Sequence, residues 1–284
     1  MIRALTRLLP AVATLVLLGA CATGAAPAPD AAADGGGATL SVVTLNIYHD
    51  RDGWERRRPL VIEGLRALRP DVIGLQEVLQ HGTLRNQAAD IADALGYDFH
   101  FVSTAPEGEV ERYGNAILTR HPILERSERR LRPLEDSRTV AHVRIAFDGR
   151  PIDIYDTHLH HTAEGGAMRA EQLADVLAHI DGNDDGTPMV LMGDFNAGAG
   201  SPELQRLAGR YVDAFGSTHP GDDVTTLNPH YFPDRHERID HVFVPGDRFE
   251  VLESRRVLDR PDADGIWPSD HFGILARLRL SPAR

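Results

Sequence analysis

The chain contains no lysine: all 30 of its basic residues are arginine, set against 42 acidic ones for a formal net charge of −12. That balance excludes a broad cationic surface for duplex nucleic acid, although a local arginine cluster can survive inside an acidic average. Arginine and lysine are largely exchangeable on a surface away from bidentate or stacked sites, so the missing lysine says little about the fold. Cysteine is nearly absent too. With Cys21 alone, no intramolecular disulfide can form. Internal repeats are lacking, and 284 residues suffice to bury a substantial core without covalent staples.

The first 20 residues, MIRALTRLLPAVATLVLLGA, place two arginines ahead of an apolar run that ends in small residues, the pattern of a secretory signal. The stretch LLGAC resembles the bacterial lipobox, in which cleavage precedes a cysteine that is then lipidated. On this reading residues 1–20 are a lipoprotein-type signal peptide and Cys21 is the lipidation site. The mature protein is then exported to the cell envelope and anchored to the membrane, not spanning it. A plain signal peptide, or an uncleaved anchor with Cys21 a bystander, is the alternative. Residues 21–39 hold Ala, Pro, Gly and Asp and almost nothing that packs, which predicts a flexible tether. Residues 40–284 read as one globular domain.

Strand and helix patterns alternate through that domain. LSVVTLNIY is β-rich, RPLVIEGLRALRP has apolar residues at helical spacing, and DVIGLQEV is a short buried strand. LRNQAADIADALG predicts a helix ending on Gly96, and another helix is expected from Gly166 to Ile180. TVAHVRIAF and PIDIYDTHL flank Asp148-Gly149, a strong hairpin signal. Ser201-Pro202 is expected to open a further helix, and RIDHVFV and FGILARLRL are strands. Hairpins mixed with crossover helices imply a layered α/β sandwich.

Period two then decides which side chains share a strand face. Ile152 and Ile154 fall in line with Asp156, His158 and His160; Val190 and Met192 with Asp194 and Asn196; Val42 with Asn46; Ile73 and Leu75 with Glu77. Several strands therefore run from apolar core into one polar mouth. Unpartnered buried carboxylates are costly, so their convergence predicts a cation among them.

The ordered set TLNIY, GLQEV, YGNAILTR, DTHLHH, GDFNA, RIDHVFV and WPSDHFG, between about residues 40 and 280, resembles the endonuclease/exonuclease/phosphatase superfamily, which includes deoxyribonucleases and neutral sphingomyelinases. The resemblance implies a four-layer α/β/β/α sandwich of two mixed β-sheets flanked by helices. It also implies a Mg²⁺-dependent phosphoric ester hydrolase, with Mn²⁺ able to substitute. Asn46, Glu77 and Asp270 match the metal side of the family site, Glu77 as the direct ligand. Asp194 matches the aspartate that orients or deprotonates water, Asn196 the amide on a phosphoryl oxygen, and Asp240 the partner of the catalytic His271. His158 resembles the second histidine of the nuclease and sphingomyelinase branches; which histidine is acid and which is base stays open. Such residue types suit the chemistry, which needs neutralised phosphoryl oxygens, an in-line water and a proton for the leaving alkoxide.

Taken singly, each residue has a plainer reading. Asp194 and Asn196 make an Asx turn, Asp270 caps a turn, and His271 is a satisfied core histidine. In HLHH only His158 and His160 are expected to converge, and Asp156 departs from the Asn or Gly usual at its position. Asn115, Arg112, Tyr113, Arg138 and Trp267 are candidates for substrate contact, while Arg235, His236 and Arg238 form a basic patch that is equally a solvated loop. The expected function is a phosphodiesterase, with nuclease, sphingomyelinase or phospholipase, and sugar or inositol phosphatase all open. Nucleic acid is disfavoured by the acidic charge, and no obligate protein partner is expected. A non-catalytic, surface-tethered binding module is the rival from another class; it predicts loss of at least one metal or histidine position, and none is missing.

Overall fold

The computed structural model describes residues 38–282, so the signal segment, Cys21 and nearly all of the tether lie outside the described residues. Among the described residues the chain runs β1 (Thr39–Asn46), α1 (Trp54–Leu68), β2 (Val72–Gln80), α2 (Gln87–Leu95), β3 (Asp98–Ser103), β4 (Arg112–Thr119), β5 (Ile123–Arg130) and β6 (Thr139–Phe147). It continues through β7 (Arg150–His158), α3 (Gly166–Asn183), β8 (Met189–Asp194), β9 (Val212–Asp213), α4 (Ala214–Thr218), β10 (Asp240–Val244), β11 (Phe249–Val257) and β12 (Gly273–Leu280). Thr39, the last residue assigned to the tether, already pairs with Arg279 in the first strand.

The strands form two six-stranded sheets, ordered β11-β12-β1-β2-β4-β3 and β5-β6-β7-β8-β10-β9. Each is mixed: β1 and β2 run parallel, as do β7 and β8, while their outer neighbours are antiparallel. Val42, Val72 and Ile117 of the first sheet meet Val143, Ile154, Val190 and Met192 of the second. Val61, Leu65 and Ile91 of α1 and α2 cover the first sheet's outer face, and Leu173, Val176 and Ile180 of α3 cover the second's. Each fully buried Val, Leu or Ile stabilises the fold by roughly 1.5–3 kcal/mol. The result is the expected four-layer α/β/β/α sandwich.

Local chemistry explains the element ends. Asp148 and Gly149 both have positive φ, 49° and 74°, which a two-residue hairpin between right-twisted strands requires. Gly96 closes α2 at φ 73°, as its sequence predicts. The helix expected from Ser201-Pro202 is only one 3₁₀ turn, Pro202–Leu204, with no side-chain cap. Gly209, at φ 81°, stops that segment before a helix long enough to persist can form.

Parallel pairs place the carboxyl ends of β1 and β2, and of β7 and β8, at one edge of the sandwich, where antiparallel β4, β10 and β12 begin. Strict alternation does not carry Glu77 there. Ile73 and Leu75 face the helices, whereas Val72, Gly74 and Gln76 face the other sheet. A bulge between Leu75 and Val78, with Glu77 at φ 60°, re-aims Glu77 toward the edge.

Beneath the edge, Gln76 Nε2 donates to Asp156 Oδ1 at 2.6 Å and to Thr44 Oγ1 at 3.1 Å, while Asp156 Oδ2 and Gln76 Oε1 have no partner. Burial holds the Asp156 carboxyl well above the usual carboxylate range, Gln76 opposing and the Asp194 and Asp240 charges adding to the rise. An acid whose folded pKa is raised contributes stability that is complete below its unfolded value, about 3.9, and is lost as pH climbs through the folded one. Asp156→Asn is therefore expected to raise the unfolding temperature at pH 7, and the gain should shrink toward pH 4. Thermal scans at the two pH values check this; equal or lower stability of the variant at pH 7 would refute a neutral Asp156.

Candidate active site

A cavity of about 320 Å³ opens at this edge, with Glu77, His158, Asp194, Asn196, Asp270 and His271 in its wall. Tyr113, Arg138, His161 and Arg235 complete the polar lining, and Leu227, Phe232 and Ile239 supply an apolar side. A second hollow of about 270 Å³, walled by Asp153, Tyr155, Arg210 and Arg248, gathers none of these residues.

Asp194 is the hub. Gly193 precedes it at φ 146°, and a Cβ there would sit 2.0 Å from the Thr157 carbonyl, so only glycine lets β8 lie this close to β7. Asp194 Oδ2 accepts from Asn46 Nδ2 at 3.0 Å and lies 3.4 Å from His158 Nε2 and 3.9 Å from His271 Nε2. Asp194 Oδ1 accepts from the Asn196 backbone at 2.9 Å. The plainer reading and the sharper one thus coexist: an Asx turn is present, and it aims the carboxylate into the site. Asn196, at φ 50°, donates through Nδ2 to the Leu159 carbonyl at 3.0 Å.

His271 Nδ1 lies 2.9 Å from Asp240 Oδ2, in a pair buried beside Asp194. Burial lowers the imidazole pKa, but the charge and hydrogen bond of Asp240, with Asp194 and Asp270 behind them, outweigh it and hold His271 well above its ordinary value. His158 goes the other way. Burial, reinforced by the Arg138 and His271 charges, keeps it neutral, and its Nδ1 has no partner. Burial also raises Asp194, with Asp240 adding to it. One edge therefore holds a cationic imidazole, a neutral imidazole and a carboxyl group of raised proton affinity, the constituents of acid–base chemistry.

Among the described residues, Asp194, Asp240 and His271 bring three ligand-type atoms within 4.8 Å of one another. Asp240 spends Oδ2 on its hydrogen bond to His271 and leaves Oδ1 without a partner, an arrangement of carboxylates about an imidazole that suits proton handling. Glu77 and Asp270 are the better donors for a hard cation. Burial pushes Asp270 up to about 6, His271 opposing and Glu77 adding to the rise, so the acid pair lacks a sufficient counter-charge of its own. A divalent ion fits that donor set. Asn46 does other work: its oxygen accepts from the Tyr48 backbone and its amide holds Asp194.

The remaining candidates separate by placement. Tyr113 and Arg138 line the cavity. Arg112, one step along β4, lies outside its lining and stacks on Phe101 at 4.9 Å, because alternate residues face opposite ways. Asn115 is buried and donates to the Thr139 carbonyl at 3.0 Å, stitching one sheet to the other. Trp267 packs on His230 and Phe272 behind the rim. In HLHH it is His161 that lines the cavity; β7 ends at His158, and His160 turns back onto Asp136 at 2.8 Å.

Sequence reasoning missed Arg57. Fully buried, it donates to the carbonyls of Ile47, Tyr48, His49 and Arg51 after β1 and of Pro268 before Asp270, all at 2.8–2.9 Å. The signal was available: Arg57 sits with Val61 and Leu65 on the apolar stripe of α1, where a solvated arginine does not belong. Ser269, which donates to the Asn46 carbonyl at 2.6 Å, and Asn228, which holds the 269–270 backbone, were also missed.

The model of the Endonuclease/Exonuclease/phosphatase family matches residues 43–271, most of the chain. The chain belongs to this family. Its enzymes hydrolyse phosphoesters and typically depend on a divalent metal. Among sequences, Nocturnin of Drosophila melanogaster is 27% identical over 277 residues, 81% of this chain but only 42% of that protein. Among structures, the human Nocturnin catalytic domain with bound sulfate anion superposes with TM-score 0.70 at 19% identity, over 86% of this chain and 95% of that one. D. rerio TDP2 complexed with single-strand DNA product gives 0.71 at 17% identity, over 85% and 99%. At such identities the structural likeness speaks for the fold alone.

Family membership gives the His271–Asp240 pair a direct test. In metal-free protein kept in EDTA, an NMR titration should find the His271 imidazole protonated well above the usual histidine range, and Asp240→Asn should move that transition down in pH. An unchanged midpoint would show that Asp240 does not hold the charge.

Proposed function

We propose that the chain is an exported, lipid-anchored, Mg²⁺-dependent phosphodiesterase that cleaves a phosphate ester by in-line attack of water. The observation that carries this reading is the gathering of His158, Asp194 and the His271–Asp240 pair around one cavity that Glu77 and Asp270 share. Glu77 and Asp270 would hold the cation, which when bound neutralises phosphoryl charge and activates water. Mn²⁺ would serve in its place. Asp194, raised by burial and fixed by Asn46 and its own turn, is placed to take the proton of the attacking water. Protonated His271 presents Nε2–H to a phosphoryl or leaving oxygen, and neutral His158 hydrogen-bonds the same reacting group.

A bound sulfate in human Nocturnin and a single-strand DNA product in D. rerio TDP2 support a site for tetrahedral anions and phosphodiesters. A nuclease is the second reading on that ground, against which the net charge of −12 weighs. Export and anchoring rest on the first 21 residues.

Bis-p-nitrophenyl phosphate should be hydrolysed with Mg²⁺ or Mn²⁺ and spared in EDTA. Asp194→Ala and His271→Ala should each lower kcat by about 10²–10⁴ while the unfolding temperature holds within a few degrees. Turnover that survives EDTA, or wild-type rates in both variants, would overturn the reading. Cys21→Ser should shift the protein from the membrane to the soluble fraction, and unchanged fractionation would count against lipidation.

A further inference from the structure

Among the described residues three arginine side chains are buried: Arg57, Arg138 and Arg169. Two are saturated. Arg57 has five carbonyl partners, and Arg169 grips Glu203 Oε1 at 2.9 and 2.7 Å while also donating to the carbonyls of His160, Thr162 and Ala163. Arg138 is different. Its Nη2 meets His161 Nδ1 at 3.3 Å, the Tyr113 side chain stands beside it, and its buried Nε has no hydrogen-bond partner. The nearest carboxylate oxygen, Asp136 Oδ2, stands 3.6 Å from Nε and is already held by Gln172 at 2.6 Å, while Asp136 Oδ1 is held by His160.

Burial, then the Arg138 charge, lowers the pKa of His161, so that ring supplies no counter-charge, and the acid paired with the guanidinium is Asp136, at 3.6 Å and shared with Gln172 and His160. A desolvated guanidinium in this state is costly, and here it forms part of a cavity wall. Arg235 lines the same cavity with its side chain 44% exposed, paired with Glu237 at 3.1 Å and set over the Phe232 ring. The reacting phosphoryl group already has Asp194, His158 and His271 about it. A buried guanidinium in the wall with an unused N–H therefore suits an additional anion, and its geometry matches a phosphate in bidentate fashion.

We propose that Arg138, flanked by His161 and Arg235, is a second anion subsite, and that the substrate is a phosphoester bearing another phosphate close to the scissile one. This rests on the phosphodiesterase reading of the same cavity. It makes Arg138 a specificity determinant rather than part of the bond-breaking set.

The test uses the full chain with Mg²⁺ and two matched esters, thymidine 5′-(p-nitrophenyl phosphate) and its 3′-phosphorylated counterpart. The wild type should show a KM about tenfold lower or better for the bisphosphate. Arg138→Gln should remove most of that preference, Arg138→Lys should restore part of it, and thermal unfolding should report intact protein in both. Should Arg138→Gln fail to fold, Arg235→Gln makes the same comparison, with a smaller loss of preference expected. Equal KM for the two esters in the wild type, or an equal loss on both in the variants, would overturn the second subsite while leaving the phosphodiesterase reading standing. No turnover of either ester, or of bis-p-nitrophenyl phosphate, would instead remove the reading itself and the subsite with it.

Discussion

The carboxylate of Asp194 holds the two halves of this fold to a common purpose. It stands at the end of β8 in the second sheet, yet it accepts from Asn46 at the end of β1 in the first. That bond, 3.0 Å long across 148 positions of sequence, joins the sheets at the site, as Gln76–Asp156 and Asn115–Thr139 join them nearby. Its other oxygen is pinned by its own turn, so the group has little freedom. Two imidazoles then approach within 3.9 Å, one from β7 and one from the loop before β12. A side chain held through both oxygens, with two imidazoles beside it, has lost rotamer freedom on folding, which is the condition for preorganised catalysis.

The cost of that arrangement is electrostatic. Asp156, Asp194, Asp240 and Asp270 are all buried toward one edge of the sandwich. Left ionised together they would repel one another strongly in a poorly screened interior. The fold answers in three ways: Asp156 is kept neutral, Asp240 is paired with a cationic His271, and Asp270 sits beside Glu77 as an acid pair suited to a divalent ion. Arg57 adds a fixed positive charge behind Asp270 while its five bonds tie the loop after β1 to the loop before β12. Structural support and charge compensation come from one side chain.

Much of this was legible in the sequence, and the rest failed for identifiable reasons. Alternation predicted the inward faces of β1, β7 and β8, because regular strands obey a period of two and apolar residues mark their buried side. It brought Glu77 to the right edge by the wrong route, since a bulge cannot be read from hydropathy, and it misjudged HLHH, since β7 ends at His158 and the period ends with it. The turn at Asp148-Gly149 and the cap at Gly96 were readable because backbone sterics dictate glycine there. β3, β5 and β11 were not anticipated: β5 and β11 are rich in Arg and Glu, as edge strands facing water tend to be, and their apolar signal is weak. Arg57 was missed because a helix predicts burial for its apolar stripe, whereas only the folded loops reveal five carbonyls waiting for donors.

The fold and the reacting groups constrain the substrate less than they constrain the reaction. Neighbours of TM-score 0.70 and 0.71 share this scaffold at 19% and 17% identity, so the scaffold persists through extensive change of sequence. Here the rim combines Arg138, His161, Arg235, Tyr113 and Phe232, none of which belongs to the set that moves protons. The Arg138 guanidinium has an unused buried N–H at this point, whereas the other two buried arginines among the described residues are fully bonded. If substrate charge is what completes Arg138, the overall negative charge and the local positive wall act together. A net negative surface would then disfavour polyanions in general, and the cavity would recover affinity for those whose second anion reaches Arg138.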